Sequence, residues 1–372
     1  MKKVLISAGE PSGDLHASTL IREVRKTEAV EFYGLGGDKM KDAGCTLLYD
    51  YAGLSIVGFS EIFSRLSKLR EVTRILNRFI HEEKPALVIL VDYPGFNLRI
   101  ARAAKAMSIP VVYYISPQAW AWGRWRVRTI ERYVDEMICI LPFELDFYRD
   151  YAVKATFVGH PLLDLVMPTE ARSEFKERLG LRKGMPVIGL LPGSRGDEVK
   201  RILPIMLKTK EVLEGRLDCE WLLVAFPGVV RTVRNTLSTY GMDVRILEDE
   251  RYEAMKHSDI LLCTSGTATL EALILGTPML ILYKVSLISW LLGRLLVKIP
   301  HIGLVNIIAG RELAKEFIQF NASPQKIAAA SLDLLKNREQ ANQNLQSVRN
   351  MLGDRGAARR AAFVVREFLS RS

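Results

Sequence analysis

Two glycine-containing loops carry the chemistry most open to reading in this sequence. Residues 190–199, LLPGSRGDEV, set Gly193, Ser194, Arg195 and Gly196 after an apolar run and before a helix-forming one. Free backbone N–H groups at a helix start, the positive end of the helix dipole and an arginine with two parallel donors together suit a phosphate. No Gly-Lys-Ser/Thr follows, so the loop is not a Walker A motif, and taken alone it reads equally well as a tight turn that needs glycine. Residues 263–278, CTSGTATLEALILGTP, repeat the arrangement, with Ser265, Gly266, Thr267 and Ala268 ahead of a helix that carries Glu271. Small residues let a diphosphate approach, and Glu271 can accept hydrogen bonds from ribose hydroxyls; a plain helix cap is the competing reading. Two such loops in one region, one with an arginine and one with a carboxylate, are better explained by a nucleoside diphosphate than by two unrelated turns.

The other candidate groups are acids and aromatics. AGEPSGD places Glu10, Ser12, Gly13 and Asp14 in the first strand-to-helix loop, where a carboxylate can orient a sugar hydroxyl. Asp92, in ILVDYPGFN, ends a very apolar strand, where a carboxylate is costly unless paired or used; it is the candidate general base, with a turn carboxylate ahead of Pro94 as the alternative. Residues 116–128, SPQAWAWGRWRVR, mix three tryptophans with three arginines: either surface aromatics with stacked arginines, or, through Trp120, Trp122 and Arg124, a seat for a sugar phosphate and part of an acyl chain. Ile62, Phe63, Leu66 and Leu69 recur at helical spacing among Arg65, Lys68 and Arg70, and VSLISWLLGRLLVKIP (285–300) is more apolar still. Each is a core helix or a contact with anionic lipid, and the basic residues favour lipid.

The elements that must position these groups follow from periodicity. Short β-branched runs (KVLISA, ALVILVDYP, IPVVYYISP, EMICIL) alternate with helical stretches, which predicts a parallel sheet with crossover helices. The alternation restarts at PVIGLLPGSRGDEV and continues through CEWLLVAFP, DVRILED and PMLILYKV. The expectation is an α/β chain of two Rossmann-like, doubly wound domains, 1–165 and 166–344, facing a cleft lined by the loops at the strand ends. An arginine-rich final helix, about 345–372, packs on one of them. A chain of 372 residues suits two domains, and the 49% hydrophobic, 25% charged composition excludes disorder and low complexity. The net charge of +10 favours anionic partners without choosing among nucleic acid, phosphorylated metabolites and membrane. Four scattered cysteines without zinc-ligand spacing read as reduced thiols of a cytoplasmic protein. The N-terminal apolar run is too short for a secretory signal, and no run reaches the length of a spanning helix. No D-x-D or H-E-x-x-H occurs, so no metal site of either kind is expected, and Gly34-Leu35-Gly36-Gly37 is followed by Lys39 where a dinucleotide fingerprint has its third glycine.

Five motifs in order, AGEPSGD, SPQAWAW, LPGSRGDEV, SGTATLEA and LVNIIAGRE, together resemble lipid-A-disaccharide synthases along nearly the whole chain. The resemblance implies the B-type glycosyltransferase fold, with the C-terminal helix (about 345–372) crossing back onto the first domain, and an inverting transferase without metal or other cofactor. Its substrates would be UDP-2,3-diacylglucosamine and 2,3-diacylglucosamine 1-phosphate, and its products a β-1,6-linked disaccharide 1-phosphate and UDP. It further implies a cytoplasmic enzyme peripheral on the anionic inner-membrane surface, with no nucleic-acid partner and with a homo-oligomer left open. By position in the motifs the family's base falls on Asp92, its nucleotide-site residues on Arg195, Glu271 and Asn306, and an acceptor-side acid on Glu10. Many members carry a second aspartate three residues after the base, where this chain has Gly95. The rival readings are another B-type enzyme of UDP-sugars (a 2-epimerase or a peptidoglycan-lipid transferase) and a non-catalytic nucleotide or lipid binder at the membrane.

Overall fold

The computed structural model describes residues 1–54, 62–121, 123–287, 290–291 and 300–371, less the side chains of residues 53, 54 and 62–66. The chain forms two compact units: Met1–Pro161 with Leu352–Ser372, and Leu162–Met351.

The first unit holds a seven-stranded sheet in the order β3-β2-β1-β4-β5-β6-β7. Its strands are β1 (Lys2–Ala8), β2 (Val30–Gly36), β3 (Cys45–Asp50), β4 (Leu87–Val91), β5 (Val111–Tyr114), β6 (Glu136–Cys139) and β7 (Ala155–Phe157). All neighbours pair in parallel. β4 is buried at every position because helices cover both faces of a parallel sheet, which is why it reads as a continuous apolar run. Alternate side chains, Leu5, Val88, Leu90, Val111, Tyr113, Met137 and Cys139, pack into one cluster with Val72, Leu76, Ile80, Ile100, Ala101 and Ile130 of the helices Ile62–Glu83, Pro94–Ala106 and Val127–Tyr133. The helix Pro11–Arg25 packs against the last helix, Ala357–Arg371.

The second unit repeats the plan with six parallel strands in the order β10-β9-β8-β11-β12-β13. They are β8 (Val187–Leu191), β9 (Glu220–Val224), β10 (Arg245–Leu247), β11 (Ile260–Thr264), β12 (Met279–Tyr283) and β13 (Glu316–Ile318). Its core joins Ile188, Leu190, Leu223, Leu262 and Leu282 to Val199, Ile202, Leu203 and Met206 of the helix Gly196–Glu214 and to Ile327 and Ala328 of the helix Pro324–Lys336.

The chain passes between units at 161/162 and 351/352, where the sequence suggested about 165 and 345. The short helix Leu162–Leu165 contacts the helix Thr267–Leu275, and the helix Arg338–Asn350 buries Leu345 and Val348, so both belong to the second unit. The return to the first unit is fixed by Arg360, whose guanidinium donates to the carbonyls of Val158 (2.8 Å), Arg355 (2.7 Å) and Asp354. Among the described residues no helix is long and apolar enough to cross a membrane. The four cysteines are free and buried.

Candidate active site

Each sheet reverses its strand order once, at β1/β4 in the first unit and at β8/β11 in the second, and a doubly wound sheet offers its ligand crevice at that point. The two expected phosphate loops follow β8 and β11, neighbours that pair up to Leu191 and Cys263. After β8, Gly193 has φ +120, a value that favours glycine, and Ser194 and Arg195 are exposed, with Arg195 at the N-cap of the helix Gly196–Glu214. After β11, Gly266 has φ +151 and caps the helix Thr267–Leu275, whose first turn carries no acid. The first N–H groups of a helix lack intrahelical partners, though here those of Glu198 and Thr269 already donate to the cap carbonyls of Arg195 (3.0 Å) and Gly266 (3.1 Å); the first turn after β8 carries Asp197 and Glu198, whereas no carboxylate in the first turn after β11 opposes an anion.

Glu271 is buried, and its Oε1 accepts from the Tyr252 hydroxyl and pairs with the Arg251 guanidinium, each at 3.1 Å. Burial raises its pKa, against the pull of Arg251 and Tyr252. Ser265 donates to the Ile302 carbonyl at 2.9 Å. Asn306 departs from the sequence expectation. Its side chain is fully buried, donating to Ala314 O (2.7 Å) and Glu316 Oε1 (2.8 Å) and accepting the N–H groups of Leu313 and Ala314 (both 2.8 Å). An amide with both donors and both acceptor sites engaged braces the segment after the second loop and has nothing left for a nucleotide.

At the β1/β4 reversal the chemistry is acidic. Asp92 and Tyr93 take left-handed backbone conformations (φ +46 and +49), each costing about 1–3 kcal/mol for a non-glycine residue. A buried network holds them there. Asn97 donates to the carbonyls of Asp92 (2.7 Å), Val91 (3.1 Å) and Ser7 (3.3 Å) and accepts from Ser7 Oγ (2.7 Å), while Tyr113 donates to Asp92 O (2.6 Å). Gly9 lies so close to the Tyr93 ring that a Cβ there would come within 2.4 Å of it. Burial pushes the Asp92 carboxyl up to about 6, the Tyr93 N–H opposes the shift, and the charge of Glu10 adds to it. Glu10 is the exposed N-cap of the helix Pro11–Arg25, and Ser12 in its first turn is also exposed.

Several expected contacts are structural instead. Asp14 is buried and caps the loop after β2, accepting the N–H groups of Gly37 (2.9 Å), Lys39 (3.2 Å) and Met40 (3.1 Å), so the glycine run there offers no free anion seat. Gly13 is buried with its Cβ position 3.3 Å from the Ala8 Cβ, a close helix-to-strand approach rather than a ligand contact. Trp120 is only 9% exposed, donates to Glu144 Oε1 at 3.3 Å and stacks edge-on against Phe143; it belongs to the interior, not to an acceptor or membrane surface. Leu69 is half-buried and packs on the first core. Arg124 is exposed, and its neighbour Trp125, not singled out from the sequence, is 70% exposed with the Arg126 guanidinium 5.1 Å from its ring. The side chains of Ile62, Phe63 and Leu66, all of Trp122, and most of 285–300 lie outside the described residues.

A family model of lipid-A-disaccharide synthetase matches residues 4–365. The lipid-A-disaccharide synthase of Syntrophus aciditrophicus is 44% identical over 100% of this chain and 99% of its own length, and that of Nitrosococcus oceani 41% identical over 94% and 92%. Among solved structures, a UDP-GlcNAc 2-epimerase of Neisseria meningitidis bound to UDP-GlcNAc superposes with a TM-score of 0.63 at 15% identity, covering 100% of both chains. MurG of Acinetobacter baumannii superposes with a TM-score of 0.64 at 14% identity over 99% of this chain and 100% of its own; likeness at such identity speaks for the fold, the B-type architecture. With a match along nearly its whole length and relatives at about two-fifths identity, the chain belongs to the lipid-A-disaccharide synthase family of glycosyltransferases.

Proposed function

We propose that the chain condenses UDP-2,3-diacylglucosamine with 2,3-diacylglucosamine 1-phosphate, and that its two switch points divide the labour. The diphosphate of the donor binds in the second unit on the helix starts at Gly196 and Thr267, with Arg195 as its cation and Glu271 on the ribose. Asp92 in the first unit takes the proton of the acceptor 6-hydroxyl. That oxygen bonds to the anomeric carbon from the face opposite the diphosphate, the bond from anomeric carbon to phosphate oxygen breaks, and UDP leaves with the electron pair. Fixed N–H dipoles and the guanidinium stabilise the charge that grows on the leaving group. Glu10, beside Asp92, orients the acceptor, and Asn306 contributes by bracing the donor loop.

The observation that carries this reading is Asp92: a carboxylate at a strand end, held in a strained turn by Asn97 and Tyr113, with a pKa near 6 that suits a base at neutral pH. A peripheral contact with anionic lipid draws support from exposed Trp125 among arginines and from Leu287, Leu291 and Phe320, the last 77% exposed. The test is incubation of the purified protein with both glycolipids in detergent and a chelator, measuring disaccharide and UDP. Both products are expected. UDP alone indicates an epimerase or hydrolase, and neither product from a folded protein indicates a binding protein.

A further inference from the structure

The loop after β8 is fastened by Glu198, which lies within the LPGSRGDEV motif but takes no part in the proposed chemistry. Glu198, in the first turn of the helix Gly196–Glu214, accepts the Ser194 N–H at Oε2 and the Thr264 hydroxyl at Oε1, both at 3.2 Å. Thr264 is buried at the end of β11, where the second loop begins. Ladder pairing between β8 and β11 stops at Leu191 and Cys263, so beyond that point strand pairing does not fix the spacing of the two loops. The Glu198 carboxylate spans this gap. It lies directly against Gly193, where a Cβ would come within 2.2 Å of Oε2, and the φ of +120 at Gly193 lets the loop fold over it. A carboxylate in the first turn is also favoured by the helix dipole.

We propose that Glu198 is a positioning residue of the donor site: it ties the two strand-end loops together and so sets the spacing of the helix starts that receive the diphosphate. This rests on the nucleotide reading given above. The tie works through two hydrogen bonds and not through charge. Glutamine can therefore reproduce it, its carbonyl accepting from Ser194 and its amide donating to the Thr264 oxygen.

The experiment is calorimetric titration of UDP into the wild-type protein, Glu198→Gln, Glu198→Ala and Thr264→Val, with steady-state kinetics on both substrates and a thermal melt of each. Glu198→Gln is expected within about threefold of wild type. Glu198→Ala is expected to weaken UDP about tenfold and to raise the donor KM in step while leaving the acceptor KM unchanged. Thr264→Val, nearly isosteric and lacking one tie, is expected to weaken UDP about threefold, and it carries the test should the alanine variant not fold. A wild-type protein that does not bind UDP overturns the nucleotide reading itself. Wild type that binds UDP, with the alanine and valine variants unchanged, overturns the role of Glu198 alone. Tighter binding by both Gln and Ala overturns it too, and makes Glu198 a competing anion.

Discussion

The two units share one architecture and present different chemistry at the same topological place. At β8/β11 the Arg195 guanidinium is exposed beside the helix starts, with the Asp197 carboxylate also exposed in the first turn, while Glu198 and Glu316 are turned to internal partners and Glu271 is held through Oε1 by Arg251 and Tyr252. At β1/β4 the candidate groups are acids alone: Glu10 is exposed, Asp92 is lifted in pKa, and the amide and hydroxyl groups of Asn97, Ser7 and Tyr113 serve the interior. A doubly wound sheet supplies the location, and on the proposed function the loop side chains set whether that location holds an anion or removes a proton.

The most severe break in this contrast should come from Asp92→Asn. Loss of the base is expected to lower kcat by about 10²–10⁴-fold while UDP binding stays near wild type. In the wild type, kcat/KM should fall about tenfold per pH unit below about 6, because the carboxylate must be unprotonated to act. The stability consequence has the opposite sense. A carboxyl raised to about 6 binds its proton more tightly folded than unfolded, so its contribution is full below the ordinary carboxylate range and is lost as pH rises through about 6. Asp92→Asn escapes that loss and should melt no lower than wild type at about pH 7.5.

Next in size, Arg195→Ala should weaken UDP by roughly 10–100-fold, the worth of a charge-assisted bond, and leave the acid limb near 6 in place. Asn97→Ala removes the bonds that hold the strained turn; a loss of about 1–3 kcal/mol in urea unfolding is expected, together with a lower kcat and an unchanged Kd for UDP. The smallest change sharpens the comparison. Gly95 is exposed with nothing within 4 Å of its Cβ position, so Gly95→Asp fits without a clash. A second carboxylate three residues after Asp92, at the start of the following helix, should move the acid limb upward by less than about one unit in a pH profile of kcat/KM.

The strand runs and the places of the glycine loops and of Asp92 at strand ends were legible because each leaves a local signature: β-branched apolar runs, glycine before a helix start, a carboxylate after a strand. Trp120 misled because composition does not tell an aromatic that anchors a loop to Glu144 from one that faces outward; Trp125, a few residues on, is the exposed one. Asp14 gave no sign that its carboxylate was spent on the distant backbone of Gly37, a partner set by tertiary packing, nor Asn306 that its amide closes on the nearby backbone of Leu313 and Ala314. Glu198 left a faint signal, an acid four residues after Ser194 in the first turn of a helix, that spacing rules could have caught. Asn97 left none, because its partners Ser7 and Val91 come together only once β1 and β4 pair.

The division of labour between the switch points is tested most directly by titrating UDP into Asp92→Asn alongside its turnover assay. The account predicts a UDP Kd within about twofold of wild type with turnover reduced at least about a hundredfold. Near-normal turnover in the folded variant, or a loss of UDP binding that matches the loss of turnover, would contradict it.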